Sequence, residues 1–209
     1  MKNIVVLVSG GGTNLQALID AQKSGKIIGG KITCVISSNP NAYALERAKS
    51  NNISTEVIRR KDYESQAQYD TALTELLQSK RADLVVLAGF MTILGVGVIK
   101  AFENRIINIH PSLIPSFCGE GFYGLKVHEC ALKRGVKVTG ATAHFVNEVC
   151  DGGPIILQKA VKIQNGDTPE ILQKRVMEQA EWDILPQAVS LFCEDKIKVI
   201  DNKTKILGL

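Results

Sequence analysis

Three residues in the chain carry the chemistry of acyl transfer: Asn108 and His110 in "NIHPSLIP" (residues 108–115), and Asp151 in "CDGGP" (residues 150–154). A short apolar run, Ile106–Ile107, leads into an asparagine and a histidine two positions apart, and Pro111 stops the pattern. Residues i and i+2 of a strand point to the same side, so Asn108 and His110 are expected to project together from the carboxyl end of their strand. Proline offers no N–H to a ladder, so the chain turns away there and leaves both side chains at a rim. An amide stabilises an oxyanion without titrating, and an imidazole moves protons near neutral pH. A carboxylate beside His110 would favour the imidazolium and raise its pKa. The bland alternatives are a structural His-Pro at a strand end and an Asp-Gly hairpin turn. Chain spacing does not decide whether Asp151 reaches His110.

A second feature is "SGGGTN" (residues 9–14), directly after the continuous β-branched run "KNIVVLVS" (residues 2–9). In open α/β sheets, ligands sit beyond the carboxyl ends of the strands. Glycines there let backbone N–H groups approach an anion, and the following helix dipole favours negative charge. A dinucleotide fingerprint is excluded, because Leu15 stands where its third glycine belongs and the second strand ends in Ser37-Ser38 instead of an acidic residue. A Walker A loop is excluded by the absence of Gly-Lys-Ser/Thr. A site for a single phosphate remains, against a tight glycine turn with no ligand.

These groups need a scaffold, and the pattern supplies one. Strands are predicted at Lys2–Ser9, Lys31–Ser37, Ser54–Arg59 and Leu84–Leu87, alternating with helices after Thr13, at Tyr43–Asn51 and at Asp62–Lys80. Thr13 and Gln16 have the spacing of a capping box. The alternation predicts an α/β, Rossmann-like fold: a mostly parallel twisted sheet with helices on both faces. A short strand follows at Ile106–Ile109, then a helix at Gly124–Arg134. Val138–Val146 and Ile155–Ile163 form an antiparallel C-terminal part. Thr168-Pro169 opens a last helix toward Phe192, which Pro186 should bend or interrupt. With no repeat, low-complexity segment or linker, residues 1–209 read as one domain, its phosphate-binding half about 1–100 and its catalytic half about 101–200.

Composition agrees with this frame: 45% hydrophobic, 22% charged, net charge +4. That balance, with no Lys/Arg block of five or more, argues for small anionic ligands and against a dedicated nucleic-acid surface. The five cysteines are widely spaced without a Cys-x-x-Cys pair, which argues against a disulfide framework or a zinc site. No apolar run has the length of a membrane span or signal core, so a cytoplasmic protein is expected. His144 reads as a satisfied core histidine, His128 is undecided, and Cys150 reads as a small hydrophobe. Ser9 and Ser112 lack the setting of a nucleophile elbow.

Taken in order, "VLVSGGGTNLQALID", "VVLAGFMTIL", "NIHPSLIP" and "HFVNEVCDGGPIILQ" resemble the phosphoribosylglycinamide formyltransferase family from Lys2 to about Phe192. The Asn-x-His-Pro-Ser and Asp-Gly-Gly-Pro segments are shared with other 10-formyltetrahydrofolate enzymes; the glycine loop points to the glycinamide ribonucleotide member. The resemblance implies formyl transfer from 10-formyltetrahydrofolate, a cosubstrate, to glycinamide ribonucleotide, without a metal, nucleic acid or membrane, by a monomer or homodimer. It assigns Asn108, His110 and Asp151 as catalytic, and Gly12, Thr13, Asn14 and Glu181 as ribonucleotide-binding. The folate contacts it implies are Met91, Thr92, Ile93, Leu94, Asn108, Asn147, Glu148, Val149, Cys150 and Asp151.

Three departures accompany it. The loop Ser116–Tyr123 is several residues longer, Gln66 stands where some members carry a base near the folate, and Arg175 and Glu181 are one residue further apart. A methionyl-tRNA formyltransferase would add a C-terminal RNA-binding domain, and a formyltetrahydrofolate hydrolase an N-terminal regulatory one. A non-catalytic phosphometabolite sensor would leave Asn108, His110 and Asp151 unexplained.

Overall fold

Strand β1 (Lys2–Val8) shows why the sheet is buried on both sides. Ile4, Val6 and Val8 point into one apolar cluster and Val5 and Leu7 into the other, as alternation along a strand requires. In this computed structural model, which describes residues 1–208, the elements that follow are α1 (Thr13–Lys23), β2 (Gly30–Ser37), α2 (Tyr43–Lys49), β3 (Ser54–Val57), α3 (Gln66–Ser79), β4 (Leu84–Leu87) and α4 (Val96–Ala101). Then come β5 (Ile106–His110), α5 (Leu125–Arg134), β6 (Val138–Phe145), β7 (Ile155–Lys162), α6 (Pro169–Val176), α7 (Trp182–Cys193), β8 (Ile197–Ile200) and β9 (Lys203–Ile206).

The seven-stranded sheet has the order β3-β2-β1-β4-β5-β6-β7. Its first five strands are parallel, and β6 and β7 are antiparallel additions. Helices α1, α2, α6 and α7 cover one face through Leu15, Leu18, Leu45, Leu172 and Leu185. Helices α3 and α4 cover the other through Tyr69, Leu73, Leu77, Val98 and Phe102. The strand order reverses between β1 and β4, so the loops leaving their carboxyl ends part and open a crevice. Ser9 ties the two loops together: its hydroxyl accepts the Met91 N–H at 2.8 Å and lies 2.6 Å from that of Ser38. Among the described residues no helix is long and apolar enough to cross a membrane.

Several boundaries differ from expectation, each for a local reason. Thr13 is the first residue of α1, not its cap: Gly12 occupies the cap position at φ 73° without a side-chain hydrogen bond. The predicted capping box is therefore absent, and Gln16 instead donates to Asp20 at 2.9 Å. The helix predicted from Asp62 begins at Gln66, because Ser65 caps it by accepting the Gln68 N–H at 3.2 Å. Thr168 does cap α6, with Pro169 in the first turn. Pro186 does not end α7, which continues to Cys193. The irregularity lies upstream, as a π turn at Met177–Glu181 between α6 and α7. A π turn takes up one residue more than an α-helical turn, and this one falls within the lengthened Arg175–Glu181 spacing.

Beyond α7, where no element was predicted, β8 and β9 form a separate hairpin. It lies against β7: the Thr204 hydroxyl donates to the Ile155 carbonyl at 2.6 Å. At its tip Asn202 donates to the Gly152 carbonyl at 3.4 Å.

Candidate active site

Two groups of side chains converge on the carboxyl ends of the strands. The first is built on β5 and β6. Their antiparallel register sets Asn108 opposite His144 and His110 opposite Thr142, so all four side chains share one face of the sheet. Asn108 Nδ2 lies 3.2 Å from His144 Nε2. The other ring nitrogen of His144 lies 2.8 Å from the Phe145 carbonyl; a carbonyl only accepts, so Nδ1 carries the hydrogen and Nε2 accepts from the amide. His144 thus fixes the Asn108 amide and leaves its second N–H available. Thr142 pins the turn after β5, accepting the Ile114 N–H at 3.1 Å and donating to the Ser112 carbonyl at 2.7 Å.

Asp151 enters from the turn after β6. Its backbone has φ 54° in a tight turn closed by Gly152 N–H to the Val149 carbonyl. The carboxylate sits between two imidazoles: Oδ2 is 3.5 Å from His110 Nδ1, and Oδ1 is 3.6 Å from His144 Nε2. It also accepts the Gly119 N–H at 2.8 Å, so the lengthened Ser116–Tyr123 loop contributes to its support. Burial alone would raise the Asp151 pKa, but the neighbouring His144 and His110 rings and the Gly119 N–H together hold it below the usual value.

At His110 the expected effect of Asp151 is present but outweighed. Burial pushes its pKa down, and the opposing Asp151 charge and Phe117 carbonyl do not compensate. The ring nitrogen Nε2 lies 2.9 Å from the Phe117 carbonyl, which only accepts, so Nε2 carries a hydrogen while Nδ1 faces Asp151. His144, read from the sequence as a bland core residue, belongs to this constellation; alternation along Val138–Val146 put it on a strand but could not reveal the Asn108 opposite. His128 is fully buried with no partner on either ring nitrogen, and burial with neighbouring His110 pushes it down to about 4. Cys150 is exposed instead of packed in the core.

The second group lies at the carboxyl end of β1. Asn14 Nδ2 donates to Glu181 Oε2 at 2.7 Å, and both residues are buried. Burial pushes the Glu181 carboxyl up to about 7, against the hydrogen bond from Asn14. Asn14 Oδ1 is buried without a partner. Thr13 reaches Met177 Sδ at 3.8 Å, so the π turn and the glycine loop face each other. Among the described residues, the backbone N–H groups of Gly11, Gly12, Thr13 and Asn14 have no acceptor within the protein. Such a row of free donors at the start of a helix is suited to an anion. Gly12 is required: a Cβ there would lie 2.6 Å from Ala44 Cβ.

Between the groups runs the loop after β4. Met91 and Ile93 are 56% and 80% exposed, whereas Leu94 is buried and packs in one cluster with Phe90 and Val146. Asn147 shapes the neighbouring turn by accepting the Val149 N–H at 3.0 Å and donating to the Gly152 carbonyl at 3.2 Å. Glu148 faces Lys100, 3.8 Å away, on the outer side.

Comparison with known proteins agrees with the geometry. A family model described as formyl transferase matches residues 2–189. The phosphoribosylglycinamide formyltransferase of Haemophilus influenzae is 44% identical over 208 residues, spanning 100% of this chain and 95% of the relative. This chain belongs to the phosphoribosylglycinamide formyltransferase family. The Escherichia coli K12 formyltransferase of the same name is 40% identical over 99% of this chain and 94% of its own. The crystal structure of glycinamide ribonucleotide transformylase 1 from Symbiobacterium toebii superposes with a TM-score of 0.93 at 43% identity, covering 99% of this chain and 94% of that one. In this formyltransferase, Gln66 is not an isolated substitution. It donates to Asp70 at 2.7 Å and the Ile93 carbonyl at 3.3 Å, and accepts from Arg60 Nε at 2.9 Å. A guanidinium therefore stands beside the position where the sequence lacks a base.

Proposed function

We propose that this formyltransferase moves the formyl group of 10-formyltetrahydrofolate to the amine of N1-(5-phosphoribosyl)glycinamide in purine biosynthesis, through the residues described above. The observation that carries this assignment of roles is the Asp151 carboxylate lodged between His110 and His144, beside an Asn108 amide with an N–H to spare.

The phosphate rests on the free N–H groups of Gly11 to Asn14. The ribose leads the glycinamide amine toward Asn14 Oδ1 and Glu181, acceptors for its N–H groups. The folate lies along Met91–Leu94 and Asn147–Asp151, its formyl group at Asn108. The amine attacks the formyl carbon, and the carbonyl π electrons move onto oxygen. Asn108 Nδ2–H and a His110 N–H donate to that oxyanion. His110 is placed to take a proton from the new ammonium centre directly or through water, with Asp151 stabilising the imidazolium. The proton then passes to N10, the C–N10 bond breaks, and formylglycinamide ribonucleotide and tetrahydrofolate leave. No covalent enzyme intermediate is needed.

The test is to incubate the protein with 10-formyltetrahydrofolate, with and without the ribonucleotide, while absorbance reports deformylation of the folate. Deformylation that depends on the ribonucleotide and yields its formyl derivative is expected. Equal rates without it would identify a hydrolase, and ribonucleotide binding without turnover a sensor.

A further inference from the structure

We infer that Arg47 sets the phosphate cradle of the glycine loop and supplies its positive charge, which makes it a specificity-determining residue for phosphorylated substrates. Two successive carbonyls of the loop are tethered to α2. The Gly10 carbonyl accepts the Ala44 N–H at 3.1 Å, and the Gly11 carbonyl accepts Arg47 Nε–H at 2.8 Å. Across a trans peptide the following N–H points opposite to the carbonyl. Both tethers therefore turn the N–H groups of Gly11 and Gly12 away from α2 and toward the open side, where those of Thr13 and Asn14 also lack acceptors.

Arg47 is held for this task. Nη1 donates to Gln16 Oε1 at 3.1 Å, and the guanidinium lies over the Tyr43 ring, 5.0 Å from its centroid. Both acceptors are neutral, and among the described residues no carboxylate lies within ion-pairing distance of it; the adjacent Glu46 pairs with Lys49 at 3.0 Å. A guanidinium fixed in place without a counter-ion, on the carbonyl side of a loop whose four N–H donors are unpaired, adds positive charge behind a cradle suited to a dianionic phosphate. Arg47 acts chiefly by positioning the Gly11–Gly12 peptide, with its charge as the second contribution.

The inference rests on the loop being the phosphate site of the proposed reaction, so the test separates the two. Direct binding of ribose 5-phosphate, measured calorimetrically, reads the cradle without turnover. Arg47→Gln is expected to weaken that binding about 10–100-fold, the loss typical of a hydrogen bond to a charged group, and to raise the KM for the ribonucleotide in parallel. The kcat and the KM for the folate should stay close to wild type. Arg47→Lys, which keeps the charge but lacks the planar fork, should fall between the two. For the unphosphorylated glycinamide riboside, wild type and Arg47→Gln should react alike. Unchanged ribose 5-phosphate binding in a folded Arg47→Gln protein, or an equal loss for phosphorylated and unphosphorylated substrates, would overturn the inference. If wild type binds ribose 5-phosphate through Arg47 but transfers no formyl group, the proposed reaction fails and the cradle stands.

Discussion

Replacing Glu181 by glutamine removes one proton equilibrium and leaves the shape almost unchanged. In the folded protein the carboxyl is pushed up to about 7 from its ordinary 4.5, chiefly because it is buried. An acid with a higher pKa folded than unfolded binds more protons in the native state between those values, so stability falls as pH rises through that window. Below about 4.5 the group is neutral in both states and costs nothing. Above about 7 it carries a constant deficit of roughly 3 kcal/mol, set by the gap between the two pKa values. Glu181→Gln retains an acceptor for the Asn14 N–H and has no such slope. Urea denaturation across that range should show the variant gaining on wild type as pH rises, by about 2–3 kcal/mol at neutral pH, with no gain under acid conditions. Turnover should fall, because the acceptor proposed for the amine loses its charge. Parallel pH–stability curves for the two proteins would refute the claim that this site is maintained at the expense of stability.

Asn108→Ala removes the amide that His144 positions; kcat should drop about 100–1,000-fold with little change in either KM, and a variant keeping more than about a tenth of wild-type kcat, with chemistry rate-limiting, would contradict the oxyanion role. Asp151→Asn deletes the charge that opposes burial at His110, so the acidic limb of the kcat/KM profile should move to lower pH, and an unmoved limb would remove the carboxylate–imidazole coupling. Gly12→Ala places a methyl group 2.6 Å from Ala44 Cβ at a φ of +73°; strain and overlap together should cost about 2–4 kcal/mol in urea denaturation, and wild-type stability with normal ribonucleotide KM would show that the loop has room to spare.

The parallel half of the fold was legible because its strands include continuous apolar runs, as at Ile4–Val8 and Leu84–Leu87, separated by helical spacing. The i, i+2 rule correctly put Asn108 and His110 on one side of β5. Cross-strand register was not legible: no local signal pairs Asn108 with His144, so His144 looked like an ordinary core residue. Nor does sequence reveal desolvation, which at His110 outweighs the raising effect of Asp151. The Thr13–Gln16 spacing misled because Gly12, free to adopt a positive φ, ends the turn without a side-chain cap. The C-terminal hairpin was missed because each of its strands, Ile197–Ile200 and Lys203–Ile206, is only four residues long, too short for its alternation to stand out.

The C-terminal hairpin does more than shield the edge of β7. Its tip residue Asn202 and Asn147 of the turn after β6 donate to the same Gly152 carbonyl, next to Asp151. Anything fused beyond Gly208 is thus anchored to a strand pair that braces the catalytic turn. Affinity handles for this enzyme belong at the amino terminus, and a cut made after Lys196 should slow catalysis while leaving the parallel sheet folded.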